Sequence, residues 1–600
     1  MYCFFDIPYN NERIPPMKKH FKLLLCLLLA VIAIAVQGCT NTTTPGEDTA
    51  DSVDTTPVVQ DLNIVLDGST EYSIVIREEA ADSVVEASRS IMNAIQSTTD
   101  VKLNWTDDYV DSGKSAPAKE ILIGLTNREE SLEVLQNVKY GEFLIQPVGE
   151  KLVIAAWDEK SLSKACSQFV NYIKRNAQSG TFAIPAEYSL QGTGIEHLLQ
   201  MPHYGARDES VEFIDLADAC YMLYANNTDL AEFEAYYQVL ENAGYTRVAY
   251  NKMAENHFVS YVNDEMIVHA SYLASGKDAR VTIEKKYNTD IFVESAYEKV
   301  CEPTVTLVGL EGYGGIEGTV PGTFYGNPIG LLMIFRLEDG RFIVVDGGGM
   351  ADETVSLIYD NLYELAVDKD NIVIAAWMLT HAHGDHVGGF TMFTNSARRK
   401  QVTVQNIIHH FSTNEQYKNC NDAGRAAETR PLMRAYKDAN IIKAHAGQVL
   451  KVGGAEIEIL CTSGELEPYT LQDHNTTSVV FRVTAQDNSV MVLGDASYIT
   501  CSFLVKHYGD YLKSDMVQLS HHGYAGGTVA LYDKVLADVV LWPGGVGGFD
   551  GGLEPEDLRY RESNAHAISL ADEVYVAGEA VHTLTMPYTP EDTDKAKIIK

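Results

Sequence analysis

An apolar run from Ile372 to Leu379 leads straight into Thr380-His381-Ala382-His383-Gly384-Asp385-His386-Val387-Gly388-Gly389, where three imidazoles and a carboxylate fall within six residues. The run has the length and composition of a buried strand. Where a strand feeds a short glycine-containing loop, side chains two residues apart point the same way. His381 and His383 can then grip one cation while Asp385 and His386 reach a second beside it. The spacing implies two metals. A lone HxH pair would be ordinary surface or core histidines, but four ligand-type residues in the order HxHxDH form a metal-site motif whose context lies in the rest of the chain.

The motif and its surroundings resemble the metallo-β-lactamase superfamily, whose fold is an αββα sandwich with a metal site at one edge of its two sheets. The resemblance covers the second half of the chain and implies further site residues. Arg341 to Gly349 reads as a strand ending in an acid and a glycine turn, like the family's first motif. It implies that Asp346 holds the orientation of a ligand without itself binding metal. Ser489 to Asp495 is an apolar strand stopping at Gly-Asp, and the resemblance makes Asp495 the carboxylate bridging both metals. Met516 to Gly523 is again a strand ending in a histidine loop. Aligned strand ends give His521 to the second metal, with His522 as the alternative. The family's third motif supplies a histidine between the HxHxDH loop and the bridging aspartate, and His474 falls there. His409 and His410, after the apolar run Val402 to Ile408, either line the cleft instead or are plain loop residues at a strand end.

Two such cations about 3.5–4 Å apart share a hydroxide and bring the pKa of bound water toward ~7, so the implied reaction is hydrolysis without a serine or cysteine nucleophile. Asp495 is expected to fix the metal pair and Asp385 to orient the attacking oxygen. Zinc suits imidazoles with few carboxylates, and iron or manganese also fit mixed nitrogen and oxygen ligands. Asn475-Thr476-Thr477-Ser478, the Gly-Asp strand and the His-His-Gly ending look most like the branch that includes DNA-uptake competence proteins and choline-phosphate esterases of cell walls. That resemblance ranks a phosphoester or phosphodiester of the cell surface first as substrate, and an ester, lactone or β-lactam second. The rival of another class is a surface-binding protein with a vestigial site, against which the intact motif positions argue.

Near the N-terminus, Met17 to Lys22 is basic, Leu23 to Val36 is apolar and Gln37-Gly38-Cys39 follows. This resembles a bacterial lipoprotein signal (17–39), with lipidation at Cys39, and implies an extracytoplasmic protein anchored to the cell membrane. The apolar run is short for a bilayer span of ~20 residues, although a plain membrane anchor is the alternative. Residues 40–58, rich in Thr, Pro and acids, read as a flexible tether.

Length favours several domains. In 59–192, strands alternate with helices, among them one through Val84 to Ile95 and one through Ser161 to Tyr172, giving an α/β module. It loosely resembles the non-catalytic α/β domain preceding the catalytic barrel of some glycosidases and reads as ancillary, with glycan binding as the sharper alternative. In 205–295, Asp229 and Glu232 form a candidate capping box for a helix carrying Phe233, Tyr236, Tyr237 and Leu240, with three short strands after it: a small α+β module. The catalytic domain is expected over 301–590. The fold class is thus multidomain, α/β and α+β, with a C-terminal αββα sandwich.

Lys and Arg number 46 against 83 Asp and Glu, a net charge of −37. Polyanions are repelled at long range, and beyond the N-terminal signal the basic cluster Arg398-Arg399-Lys400 reads most simply as a solvated turn, which counts against nucleic acid as the main substrate. The expected partners are a small-molecule or cell-envelope substrate and the membrane. The nine cysteines contain no CxxC pair, which gives no sign of a zinc ribbon or dithiol motif. Gly544-Gly545-Val546-Gly547-Gly548 lacks a P-loop ending and reads as a flap at a strand end.

Overall fold

The computed structural model describes residues 60–205, 211–293, 295–310, 330–467, 473–523, 526–544, 558–578, 580–591 and 597–599. The expected signal, Cys39 and the tether, as well as most of the glycine-rich flap, lie outside them. Among the described residues no helix is long and apolar enough to cross a membrane.

The first module is a six-stranded sheet in the order Asn104–Asp107, Ser73–Ile76, Glu120–Ile123, Lys151–Ala156, Glu142–Val148, Leu190–Thr193. The first four strands run parallel and the last two join antiparallel. The two expected helices span Asp82–Thr99 and Glu159–Asn176. The second begins where Asp158 accepts a hydrogen bond from the Ser161 N–H and buries Leu162, Ala165, Cys166, Phe169 and Ile173, a stripe at helical spacing.

The second module is a six-stranded antiparallel sheet, with Thr246–Met253, Asn256–Val262, Met266–Leu273 and Asp278–Lys285 followed in spatial order by Tyr221–Ala225 and Val211–Asp215. Helix Leu230–Asn242 covers one face. Asp229 caps it by accepting from the Glu232 N–H, but the expected box is only half made, because the Glu232 carboxylate instead accepts from the Thr228 hydroxyl at 2.8 Å. Four strands, not three, follow that helix. Met266–Leu273 is buried at every position. Val268, Ala270 and Tyr272 lie under the helix, while His269 and Ser271, at the alternate positions, face the C-terminal domain with Arg280, Thr282 and Glu284.

The C-terminal domain contains two eight-stranded sheets. Its strands are apolar on both faces because each sheet is covered twice. Ile343 and Val345 enter the core between the sheets, as do Val490 and Val492. Phe342 and Val344 face the layer holding Asp352–Leu365 and Gly384–Asn395. Met491 and Leu493 face the opposite layer, which holds Tyr498–Tyr508 and Val529–Val535. This is the expected αββα sandwich. Thr304–Val308 pairs with Val581–Thr585, so the two ends of the domain are neighbours in one sheet.

Candidate metal centre

Four strand ends converge at one edge of the sandwich. Phe342–Asp346 and Ile372–Leu379 are parallel neighbours in one sheet, and Asn488–Val492 and Met516–Gln518 in the other. Parallel pairing places the loops that follow each pair side by side. One sheet thus presents Asp346 and the HxHxDH loop, and the other presents Asp495 and the His521-His522 turn. Helix Gly384–Asn395 opens inside the motif, with Asp385 in its first turn, where the positive end of the helix favours a carboxylate.

Asp495 Oδ2 is the meeting point. It lies 3.1 Å from His386 Nε2, 3.5 Å from His522 Nε2, 3.7 Å from His521 Nε2 and 3.8 Å from His381 Nε2. On one side His381 Nε2 and His383 Nδ1 are 3.0 Å apart, and the His474 ring follows at 5.0 Å between centroids from His383. On the other side His522 Nε2 is 3.4 Å from Asp385 Oδ2 and 3.2 Å from His386 Nε2. Two overlapping groups have donor atoms close enough to hold a cation: His381, His386 and Asp495, and Asp385, His386 and His522.

His522, the alternative from the sequence, thus occupies the place expected for His521. Both residues have left-handed backbones, His521 at φ 50° and His522 at φ 54°. The His521 N–H donates to the Gly494 carbonyl at 3.0 Å and the Trp542 indole donates to the His522 carbonyl at 2.9 Å. That double turn carries the His522 ring inward, while His521 keeps its side chain 31% exposed at the rim. His409 and His410 stand apart from both groups. The His409 ring accepts from the Phe411 N–H, and the His410 ring donates to the Ala444 carbonyl.

The residues around the donors fix their directions. Asp346 Oδ2 lies 2.7 Å from His386 Nδ1, and the same carboxylate accepts from the Thr380 N–H and hydroxyl. The Asp495 N–H donates to Ser478 Oγ at 3.1 Å. Gln518 accepts from the Leu493 and Gly494 N–H groups and so holds the Gly-Asp turn. Tyr417 stacks on His474 with centroids 4.1 Å apart and planes 14° apart. Ser478 enters the sequence motifs only as the end of the Asn475–Ser478 segment, with no role attached, and neither Gln518 nor Tyr417 is singled out by a motif. For Tyr417 the sequence carries no signal, because it comes from a separate short helix, Asn414–Tyr417.

Burial would neutralise the carboxylates, but their imidazole neighbours outweigh it. His386 and His522 hold Asp385 below its ordinary range, and His386, His522 and His521 do the same for Asp495. Burial lowers His381 far below its usual value, lowers His474 to about 3 and lowers His521. It opposes protonation of His386 and His522 as well, yet Asp495 and the other acids raise both, His522 to about 9.

The donor set fits cations. Both carboxylate oxygens of Asp495 and both ring nitrogens of His474 are buried without an aligned hydrogen bond. Buried polar atoms left this way call for an ion or another partner. His381, His383 and His474 would hold one cation, Asp385, His386 and His522 a second, and Asp495 would reach both.

No curated protein matches the chain. Among solved structures, similar ones are CmlA, a diiron β-hydroxylase from Streptomyces venezuelae (14% identity, 49% of this chain and 46% of that one, TM-score 0.24), zinc-bound PqqB from Methylobacterium extorquens (9%, 43% and 79%, TM-score 0.25), and a protein of unknown function from Enterococcus faecalis V583 (14%, 50% and 77%, TM-score 0.23). The chain spans about half the length of the CmlA structures it matches. Residues 330–541 match the family model described as the Metallo-beta-lactamase superfamily. A metallo-β-lactamase superfamily domain therefore forms the C-terminal part of this chain, after two smaller α/β and α+β modules.

Proposed function

We propose that this domain is a metal-dependent hydrolase acting on a phosphoester or phosphodiester of the cell surface, in an extracytoplasmic protein held to the membrane by a lipid on Cys39. The observation that carries the catalytic part is Asp495, a wholly buried carboxylate with four imidazoles around one oxygen and no aligned hydrogen bond. Two divalent cations bound there, most simply zinc, would acidify a water and polarise the substrate's oxygen.

The chain's own residues supply the rest. Asp346 holds the His386 ring by Nδ1 and leaves Nε2 to face the centre. Gln518 and Ser478 fix Asp495 through the backbone, and Asp385 at the rim orients the attacking oxygen. The phosphoester reading is supported by the likeness of the Asn475–Ser478 segment and the His-His-Gly ending to the competence-protein and choline-phosphate esterase branch. The net charge of −37 argues against long nucleic acid.

The test is hydrolysis by the zinc-loaded protein of phosphodiester, phosphomonoester, lactone and β-lactam reporters, alongside His383→Ala and Asp385→Ala. Turnover of a phosphate reporter by the wild type alone is expected. Turnover of only the lactone or β-lactam would reassign the substrate class, and full activity in both variants would remove the mechanism. Release of the protein from cell membranes by Cys39→Ala tests the anchor.

A further inference from the structure

A second set of metal-type donors is buried at the contact between the small antiparallel module and the C-terminal domain, two strands along the sheet from the HxHxDH loop. It is assembled by strand register. Tyr221 pairs with Ile283 across two antiparallel strands, so Cys220, one residue earlier, stands opposite Glu284, one residue later. On the next strand Ile267 pairs with Glu284, which puts His269 diagonal to the same carboxylate. The catalytic domain contributes His445, just after strand Asn440–Lys443, with its backbone N–H donating to the Gln448 side chain.

Cys220 Sγ, a Glu284 oxygen and a His445 ring nitrogen all lie within 4.8 Å of one another, and all three residues are buried. His445 Nε2 is 3.0 Å from Glu284 Oε1. His269 Nε2 is 3.6 Å from that oxygen and accepts from the Gln448 amide at 3.3 Å, with the Tyr287 hydroxyl 3.2 Å away. Donors around a tetrahedral zinc sit roughly 3.3–3.8 Å apart. A simple hydrogen bond between His445 and Glu284 explains two of these groups, but not why the register sets a thiol against the same buried carboxylate.

We propose that Cys220, Glu284 and His445 form a second cation site, for zinc or a similar borderline divalent ion, that staples the small module to the catalytic domain. Thiolate, imidazole and carboxylate together suit such an ion and not magnesium or calcium. The ligands come from two modules, so the ion would bind only when the modules are docked.

Cobalt separates this site from the catalytic one, whose donors are only nitrogen and oxygen. The full chain, stripped of metal and reloaded with Co²⁺, is expected to show a thiolate-to-cobalt charge-transfer band in the near ultraviolet. Cys220→Ser should lose the band and bind about one cation fewer per chain than the wild type. Absence of the band from the cobalt-loaded wild type, a band that survives in Cys220→Ser, or equal metal content in the two proteins would each overturn the proposal. The wild-type spectrum decides even if the variant fails to fold.

Discussion

His386 Nδ1 stands 2.7 Å from Asp346 Oδ2, with both side chains wholly buried. Asp346 also takes two donors from Thr380, so its carboxylate has little freedom to turn. The pair fixes both the tautomer and the plane of a ring whose other nitrogen faces Asp495. Asp346→Asn should keep the fold, because Asn tolerates the φ of 54° found there. It would set an amide donor against Nδ1 or against Thr380. Metal affinity is expected to fall ~10–100-fold, measured by competition with a chelator; unchanged affinity would remove the orienting role.

The two histidines of the Ser520–Gly523 turn should separate in metal analysis. His522→Ala is expected to cost about one cation per chain, since a catalytic site needs about three protein ligands, whereas His521→Ala should retain it. Metal content after dialysis checks this. Loss on His521→Ala alone would restore the sequence expectation.

Tyr417 is wholly buried against His474, and its hydroxyl accepts from the Ser412 N–H at 3.1 Å and lies 3.2 Å from the Thr477 hydroxyl. Tyr417→Phe keeps the stack but loses those bonds, for about 1–3 kcal/mol. Tyr417→Ala removes the ring and should cost roughly 3–5 kcal/mol. Urea unfolding of the three proteins gives the order, and an Ala variant as stable as the Phe variant would contradict it.

Glu467 gives a pH signature away from the metal donors. Burial raises its carboxyl from 4.5 to about 7, against the opposing pull of the Gln416 amide and Arg280. The folded state therefore prefers the protonated acid. The corresponding stability is complete below pH ~4.5 and is lost as pH rises through ~7, by at most about 3 kcal/mol. Glu467→Gln keeps an acceptor for Gln416 and should not show that loss. Melting temperatures of the two proteins should therefore diverge between pH 5 and 8, with the variant higher at pH 8. Parallel curves would refute the assignment.

Much of the centre is legible locally. The strands preceding Asp346, His381 and Asp495 are apolar on both faces because helices cover both sheets, and each ends at an acid or a histidine within a few residues. The first module's helices are legible for a similar reason, with buried residues recurring at helical spacing. The half-made cap at Asp229 shows the limit of local patterns: Glu232 takes its donor from Thr228, which the capping motif does not contain.

The sequence by itself determined which donor types gather at the candidate site and the strand ends that present them, because strand periodicity and ligand spacing act over a few residues. Tertiary structure decided His522 over His521 in the second donor group, through a left-handed turn held by Gly494 and Trp542. It also placed Tyr417 on His474 and set His445 against Glu284. Each of these contacts joins segments far apart in the chain, and they form only when sheets and modules pack, so no local pattern could encode them.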